Sequence, residues 1–551
     1  MPPLTAAPMR PTTGPVARFA LLSLALFPLL AGLLSLALGQ DANWDLRNYH
    51  WYNAYAWWTG RGDLDVAPAQ VATFYNPTLD LPFYLLAQAL PARAVGFLMG
   101  AVQGLNVLPL FGLSWALLAG LEPTRRSAAA LALALIGFFG GGQLGLLGTT
   151  FYDNVISLFV LGSAWVVLAR AAVIWGGPSA VSGPAFAAVA LAGLLVGSAV
   201  GLKQPTLPYA VGLCFAFLVV GGGFWRRVLL SFFFGLGVIA GMALFSGHWM
   251  WHLWTEYRNP LFPYFNHIFK SPWGVPEAYR DDKFIPPGLI QALLFPFAWV
   301  LNPKLVGEIL FRDLRVPVAY VVLLATPLLL LWGRIKGRRP DPALPARRPA
   351  LYLLVAGALT YLVWLKLFSI YRYLIPLEML APVLIVAAVM LWPLPGKART
   401  AIALTLLLLV SVTIRPGNWH RIDWTDRFVA VDIPPIPDPD HTIILQTGYA
   451  PTAFLISGFP PQIPFYRIHS YFIHPDQKDI LLNRRMAERI AAHQGDIYVL
   501  LAHWEEWTDQ HILPYYGLKA DLMACKPVTS TLDEPMKLCP VRRETRTLSP
   551  G

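Results

Sequence analysis

The sequence predicts a mainly α-helical, polytopic membrane protein with about eleven transmembrane helices, followed by a small C-terminal α/β domain outside the membrane. Three observations support this prediction. Hydrophobic residues make up 56% of the 551 residues, well above the roughly 45–50% of soluble domains. Apolar runs of about 20 residues recur as far as position 414, after which the composition becomes mixed. Basic residues gather in the short segments between these runs, as in cytoplasmic loops.

The apolar runs can be ordered so that basic residues mark every second loop. This arrangement places the N-terminus and the basic segment 334–348 in the cytoplasm, and the C-terminus outside. Two apolar segments, 79–90 and 289–301, are too short to cross comfortably and are predicted as helices at the outer surface. We therefore expect a multi-pass protein of the bacterial inner membrane, with a transmembrane module at 1–414 and an extracytoplasmic domain at 415–551.

The tail carries its own pattern of short secondary structure. The strings HTIILQ, PFYRIHS and DIYVLLA resemble buried strands, and residues 479–493 resemble an amphipathic helix. Among the three cysteines, Cys214 lies in an apolar run, whereas Cys525 and Cys539 stand close together in the tail. That pair could form a disulfide only in an oxidising compartment.

Composition and motifs exclude several functions. The formal net charge is +11, but its lysines and arginines flank apolar runs and form no basic stripe with interleaved aromatics, which argues against nucleic acid. The sequence contains no Walker A, HExxH, GxSxG or CxxC motif. Their absence argues against an enzyme that is driven by nucleotides or built on zinc.

Polar residues gather at the outer ends of the apolar runs rather than in their middles. The external loops that result are expected at 40–93, 149–154 and 248–315. The first of them contains the stretch DANWDLRNYHWYNAYAWWTGRGDLDVAPAQVATFYN, which begins at Asp41 and is the most polar part of the first half. A transporter would place ionisable groups near the midplane, whereas an enzyme with a lipid-borne substrate needs them at the interface. The pattern favours an enzyme.

Asp45, in WDLRNYH, is the candidate general base, because a carboxylate beside aromatic rings and near lipid accepts a proton more readily. His50 is the competing base. The structural alternative is that Asp45 pairs with Arg47 or caps a helix that begins at Leu46. Asp41 is interpreted as a solvated charge at the interface.

The second loop, TTFYDNV, places Asp153 and Asn154 on the same membrane face as Asp45. Two acids that face one cavity can divide the tasks of base and orienting group, or can hold a divalent cation. A helix N-cap is the alternative of equal weight. Two carboxylates and an amide make a weak metal site, so Mg²⁺ or Mn²⁺ at Asp45 and Asp153 stays optional and no other cofactor is implied.

Three external cations are candidates for binding phosphate: Lys203 in GLKQPTLPY, Arg258 in EYRNPLFPYF and Arg372 in IYRYLIP. An arginine between tyrosines can hold phosphate oxygens bidentately, while lysine offers a point charge. Snorkelling at a helix end is the alternative for each of them.

The order of these motifs resembles the GT-C superfamily of polytopic glycosyltransferases, which take sugars from polyprenyl-phosphate carriers. WDLRNYHWYNAYAWWTGR resembles the first-loop pattern of the aminoarabinose and protein mannosyl transferases, which implies a catalytic acid or base at Asp45. TTFYDNV resembles the second acidic motif of the oligosaccharyltransferase catalytic subunit, which implies a metal-binding or orienting role for Asp153. Asn48 and Tyr49, near Asp45, and Asn154, next to Asp153, are expected to bind the substrate. GLKQPTL and YRYLIP resemble the basic positions near the carrier phosphate. The tail has no WWDYG-like motif, so the sugar and the acceptor stay open.

The sequence thus predicts a membrane glycosyltransferase that moves a sugar from a polyprenyl-phosphate donor to a lipid, glycan or protein acceptor on the outer face. Its expected partners are that lipid-linked donor and the membrane, without nucleic acid. The alternative from another class is a transporter or lipid flippase without covalent chemistry, although no paired Pro and Gly breaks of symmetric halves are visible. An O-antigen ligase or polymerase is a third hypothesis.

Overall fold

The computed structural model describes residues 15–176, 182–277, 279, 282–337 and 347–544. Most of them are helical up to position 412, and a sheet dominates the rest. The longer helices of the first part are Pro15–Leu38, Ala92–Gly104, Val107–Leu117, Pro123–Phe138, Asp153–Ala169, Gly183–Leu202, Leu207–Val219, Phe224–Tyr257, Leu289–Leu301, Arg315–Ile335, Arg347–Leu367, Ile375–Leu391 and Gly396–Val412. Shorter helices are Trp51–Thr59, Leu81–Ala89, Gly141–Gly145, Ala171–Trp175 and Asn266–Phe269.

Within these described ranges, 6 helical segments are long and apolar enough to cross a membrane. They are Ala92–Leu117, Gly183–Leu202, Phe224–Tyr257, Arg315–Ile335, Arg347–Leu367 and Tyr371–Leu391. The count of about eleven spans is not confirmed and stays a prediction. Residues 1–14 and 338–346, on which the predicted sidedness partly rests, lie outside the described residues.

The two shorter apolar segments are helical, as predicted. The second, Leu289–Leu301, leaves much of its apolar surface uncovered, since Leu289, Ile290 and Leu301 are 75%, 71% and 88% exposed. Side chains of this kind, left open by the protein, suit a helix that contacts lipid.

The tail forms the predicted α/β unit around one seven-stranded sheet. Its strands are β3 (Val431–Asp432), β4 (Thr442–Gln446), β5 (Phe465–Arg467), β6 (Asp496–Leu501), β7 (Leu518–Ala520), β8 (Lys526–Ser530) and β9 (Met536–Arg543). Strand β4 pairs in parallel with both β5 and β6, and β9 runs antiparallel to its neighbours. The amphipathic segment near 479–493 forms helix Leu481–Ala492, which buries Leu482, Met486 and Ile490. The three predicted strands and the helix of the tail are confirmed.

The segment 40–93, predicted as the first external loop, is packed against this tail along much of its length. Gln40–Asp41 (β1) pairs antiparallel with Arg421–Ile422 (β2), and Val66 forms a parallel bridge with Tyr466 at the edge of β5. A third contact is the ion pair between Arg47 and Asp533, in the turn between β8 and β9. Ladder bonds and an ion pair together restrict a loop that would otherwise have many conformations.

Cys525 and Cys539 form a disulfide between the residue before β8 and the middle of β9. Cys539 is fully buried in the sheet, and Cys214 is a free thiol in helix Leu207–Val219. A disulfide that closes a 14-residue separation stabilises a small domain by about 2–4 kcal/mol.

We expect protein that is denatured without reductant and treated with iodoacetamide to gain one label, on Cys214, and to gain the other two only after reduction. The physical reason is that only a free thiolate is alkylated. Mass spectrometry of the intact chain gives the count, and Cys214→Ser should gain no label before reduction. Three labels without reduction would contradict both the disulfide and a tail in an oxidising compartment.

Candidate active site

The centre of the candidate site is an ion pair between the predicted first external loop and the turn that precedes an apolar helix. Arg372 Nη1 donates to Asp45 Oδ2 at 3.1 Å, and the two side chains are 13% and 16% exposed. Arg372 lies in the turn Tyr371–Leu374 that leads into helix Ile375–Leu391. A charge pair with side chains exposed to this extent is partly desolvated but is still reached by water.

Asp45 is presented by an unusual backbone element. It directly precedes a single π-helical turn, Leu46–His50, which continues into helix Trp51–Thr59. Asp45 makes no side-chain cap bond to this turn, and Arg47 is paired with Asp533 instead. Both structural alternatives for Asp45 are therefore wrong. Single π-helical turns are rare and often occur at functional sites.

A second ion pair joins the second loop to the end of another apolar helix. Lys203, which follows Gly183–Leu202, donates to Asp153 Oδ1 at 2.8 Å and to the Phe151 carbonyl at 2.6 Å. Asp153 is the first residue of its helix, and the N-cap position belongs to Tyr152, with φ 60°. Asp153 is therefore not the N-cap, and Lys203 bends to a buried partner instead of snorkelling to solvent.

The two ion pairs belong to one cluster. The Arg372 guanidinium lies 4.0 Å above the Phe151 ring, while Lys203 bonds the carbonyl of the same residue. The Tyr373 ring faces both cations, with Lys203 Nζ at 5.7 Å and the Arg372 Cζ at 6.0 Å. Cation–π contacts of this kind hold both positive charges against aromatic faces. Asp153, Lys203, Tyr209 and Tyr373 also line a narrow cavity.

A buried histidine pair lies next to this cluster. His50 Nδ1 is 2.6 Å from Asp80 Oδ1, and both side chains are almost fully enclosed. Burial, and then the charges of Lys203 and Arg372, hold the pKa of His50 well below its usual 6.5. Burial also raises the pKa of Asp80 well above 3.8. Both shifts of pKa disfavour the charged form of the side chain concerned.

Asp80 is a residue that sequence reasoning missed. It stands in PTLDLP immediately before the short helix Leu81–Ala89, where an acid is easily taken for a helix cap. The signal that could have found it is a lone carboxylate inside an apolar stretch of the same external loop as His50. A buried carboxylate needs a partner, and a histidine is a frequent one.

Tyr49 connects the histidine to the acid. Its hydroxyl is 3.4 Å from Asp45 Oδ2, and its ring centroid is 4.0 Å from that of His50. Burial raises the pKa of Tyr49 well above 10. The phenol therefore stays protonated and can donate to the Asp45 carboxylate or to a ligand that replaces it.

Three sequence-predicted residues are not brought to the ion pairs. Asn48 donates to the Ala69 carbonyl, and Asn154 donates to the Gln143 carbonyl, so both amides are used to fix the backbone of neighbouring segments. Arg258 is exposed at the end of helix Phe224–Tyr257. A ligand-binding role for these three stays a prediction.

The interpretation of Asp41 as a solvated charge is wrong. Its carboxylate is 1% exposed and accepts from Thr150 N and Thr150 Oγ1, both at 2.8 Å. It also accepts from Asn43 Nδ2. A buried carboxylate must have its oxygens satisfied by hydrogen bonds. Because Thr150 supplies two of these bonds, they connect the first predicted loop to the second.

The donor set does not fit a divalent cation. Asp45 and Asp153, the two acids that could bind Mg²⁺ or Mn²⁺, each hold a side-chain cation already, Arg372 and Lys203. The positive charges of Arg372 and Lys203, each in contact with one of these carboxylates, would repel a metal ion bound there. No group of three His, Cys, Asp or Glu side chains with metal-binding geometry occurs among the residues that the structure describes.

No protein-family model matches the chain, and no curated protein matches it in sequence. Solved structures of the oligosaccharyltransferase of Archaeoglobus fulgidus are similar in backbone. The complex with Zn and sulfate is 12% identical with a TM-score of 0.46, and the alignment covers 88% of this chain and 67% of the oligosaccharyltransferase chain. The apo form is 13% identical with a TM-score of 0.45, and the alignment covers 91% of this chain and 72% of the other. The form tethered to an acceptor peptide is 12% identical with a TM-score of 0.45, and the alignment covers 90% of this chain and 71% of the other. Similarity at this level assigns neither a family nor an activity.

Lys203→Met should destabilise the protein by about 3–5 kcal/mol, because it leaves the Asp153 carboxylate buried without its cation. The additional change Asp153→Asn should recover most of this loss. Thermal unfolding of the purified protein in one detergent measures both effects, with the exposed Lys304→Met as the matched control. A Lys203→Met variant as stable as the wild type would contradict the buried ion pair.

Proposed function

We propose that this protein is an integral membrane glycosyltransferase of the bacterial inner membrane. Its donor is a sugar carried on polyprenyl phosphate, and its acceptor is a lipid, glycan or protein on the outer face. In this proposal the N-terminus is cytoplasmic, residues 1–414 form the catalytic module and residues 415–551 form an extracytoplasmic domain.

The observation that carries the proposal is the Asp45–Arg372 ion pair beside the Asp153–Lys203 pair. One carboxylate that water can reach and two cations meet at the ends of apolar helices, not in their middles. A phosphate on a lipid carrier would enter at that depth, where the headgroup region begins. Fixed guanidinium and ammonium groups are the usual protein partners of phosphate.

In the proposed reaction, the carboxylate of Asp45 accepts a proton and the two cations stabilise the leaving phosphate. The acceptor hydroxyl attacks the anomeric carbon of the donor sugar and gives its proton to Asp45. The bond from that carbon to the phosphate oxygen breaks, and its electron pair leaves with the phosphate. Arg372 and Lys203 stabilise the negative charge that develops there.

Donor binding also releases the base in this scheme. Arg372 holds Asp45 in the free protein, and a phosphate competes with the carboxylate for the same guanidinium. When Arg372 turns to the phosphate, Asp45 is free to accept a proton. Tyr49, whose hydroxyl is 3.4 Å from Asp45, keeps the carboxylate in place.

Asp45 is favoured over His50 as the base. A proton on His50 would add charge to a buried ring whose pKa is already lowered by burial and by Lys203 and Arg372. We assign His50, with Asp80, to positioning the π-helical turn that carries Asp45. Asp153 is assigned to holding Lys203 at the phosphate position.

Asp45→Asn should leave the fold intact and lower sugar transfer by about 10²–10⁴-fold, the usual contribution of a general base. Purified protein is incubated with a panel of polyprenyl-phosphate sugars, and consumption of each donor is followed by mass spectrometry. Asp63→Asn, an exposed acid of the same loop, is the matched control. Transfer at the wild-type rate in Asp45→Asn would move the role of base to another residue.

Arg372→Gln should lower kcat by roughly 10²–10³-fold and weaken donor binding, because the developing phosphate charge loses its guanidinium. The same donor assay gives kcat and KM, and the exposed Arg93→Gln should match the wild type. An unchanged kcat in Arg372→Gln would contradict its role at the phosphate. Movement of donor lipid across vesicles without any consumption would favour the flippase alternative.

A further inference from the structure

The tail carries a second polar and aromatic site, at the carboxyl edge of its parallel strands. Strands β4, β5 and β6 run in one direction, so the segments that follow them emerge at the same edge. Tyr449 follows β4, His469 and Tyr471 follow β5, and Trp507 follows β6. Ligands of α/β sheets bind at this edge.

Three rings of these segments form one surface, which we call the aromatic platform: Tyr449, Tyr471 and Trp507. Tyr471 stacks on Tyr449, with 4.3 Å between centroids and 28° between planes. Trp507 is edge-on to His469 at 5.5 Å and 6.2 Å from Tyr449. Tyr471 is 68% exposed and Trp507 37%, so a wide apolar surface is open to solvent.

A buried polar atom lies beneath these rings without a partner. His469 is 3% exposed, and its Nδ1 has no hydrogen-bond partner among the residues that the structure describes. Burial, and then His474 and Arg467, lower the pKa of His469 to about 4. The neutral ring can therefore donate or accept one hydrogen bond, depending on its tautomer. An unpaired buried nitrogen is costly unless a ligand satisfies it.

The backbone under the platform is fixed by charged groups that are already used. Arg467 donates to the carbonyls of Gly448 and Ala450, and Glu505 accepts from the amides of Tyr449 and Ala450. Arg467 also donates to the Pro68 carbonyl of the first external loop. The platform is thus preorganised, and neither of these two charges is directed at a ligand.

We propose that the aromatic platform binds a neutral saccharide. A sugar ring has an apolar face of C–H groups, which matches the open faces of Tyr471 and Trp507, and hydroxyls that can pair with His469. A phosphate would need a free cation, and the nearby Arg467 is consumed by backbone carbonyls. Binding here requires no donor lipid and no transfer, so it can be tested independently of the proposed reaction.

The experiment titrates the purified full-length chain with cellotetraose, chitotetraose and mannotetraose in turn, by isothermal calorimetry in the absence of donor. At least one of them should bind to the wild type. Tyr471→Ala, which removes an exposed ring and leaves the core untouched, should weaken that binding by about tenfold. His469→Phe should weaken it as well, because the ring volume stays while the nitrogen is lost.

Trp504→Ala is the matched control, since this tryptophan is 62% exposed in the same segment as Trp507 but is no part of the platform. It should bind like the wild type. The proposal is overturned if none of the three saccharides binds, or if Tyr471→Ala binds as tightly as the wild type. A proline-rich peptide is titrated in parallel, because aromatic clusters also bind extended peptides. Binding of that peptide in place of the saccharides would overturn the proposal too.

Discussion

The Asp45–Arg372 ion pair requires the surrounding structure to hold two distant parts of the chain in contact. Its partners are 327 positions apart, one in the segment 40–93 and the other just before an apolar helix. Loops lose conformational freedom when they are held at such a contact, and the pair alone does not offset that cost. The surrounding elements must therefore hold the loop in place.

Several independent contacts do so. Asp41 ties the first loop to Thr150 of the second, the β1–β2 ladder ties it to the start of the tail, and Arg47 ties it to Asp533. The Arg467 contact with Pro68 adds a further link to the sheet. The contacts with the tail therefore restrict the loop that contains Asp45. The aromatic platform belongs to the same tail, so a bound saccharide would lie on the unit that contacts this loop.

Much of the fold follows from one-dimensional patterns. Apolar runs located the helices, and short alternating segments located β4, β5 and β6, because both depend on local composition and periodicity. Partners of buried charges are a different problem, since they depend on the side-chain direction of residues far apart in sequence. The sequence suggested that Asp45, Asp153, Lys203 and Arg372 share a membrane face. It contained no sign of which acid meets which cation, nor that Asp80 is the partner of His50.

The most direct test is a cryo-electron microscopy structure of the wild-type protein in lipid nanodiscs with a polyprenyl-phosphate sugar bound. We expect donor phosphate oxygens within about 2.7–3.2 Å of Arg372 and Lys203 nitrogens. We also expect the Asp45 carboxylate to be released from Arg372 and to face the anomeric carbon. A donor phosphate bound away from both cations, with Asp45 still held by Arg372, would contradict both expectations.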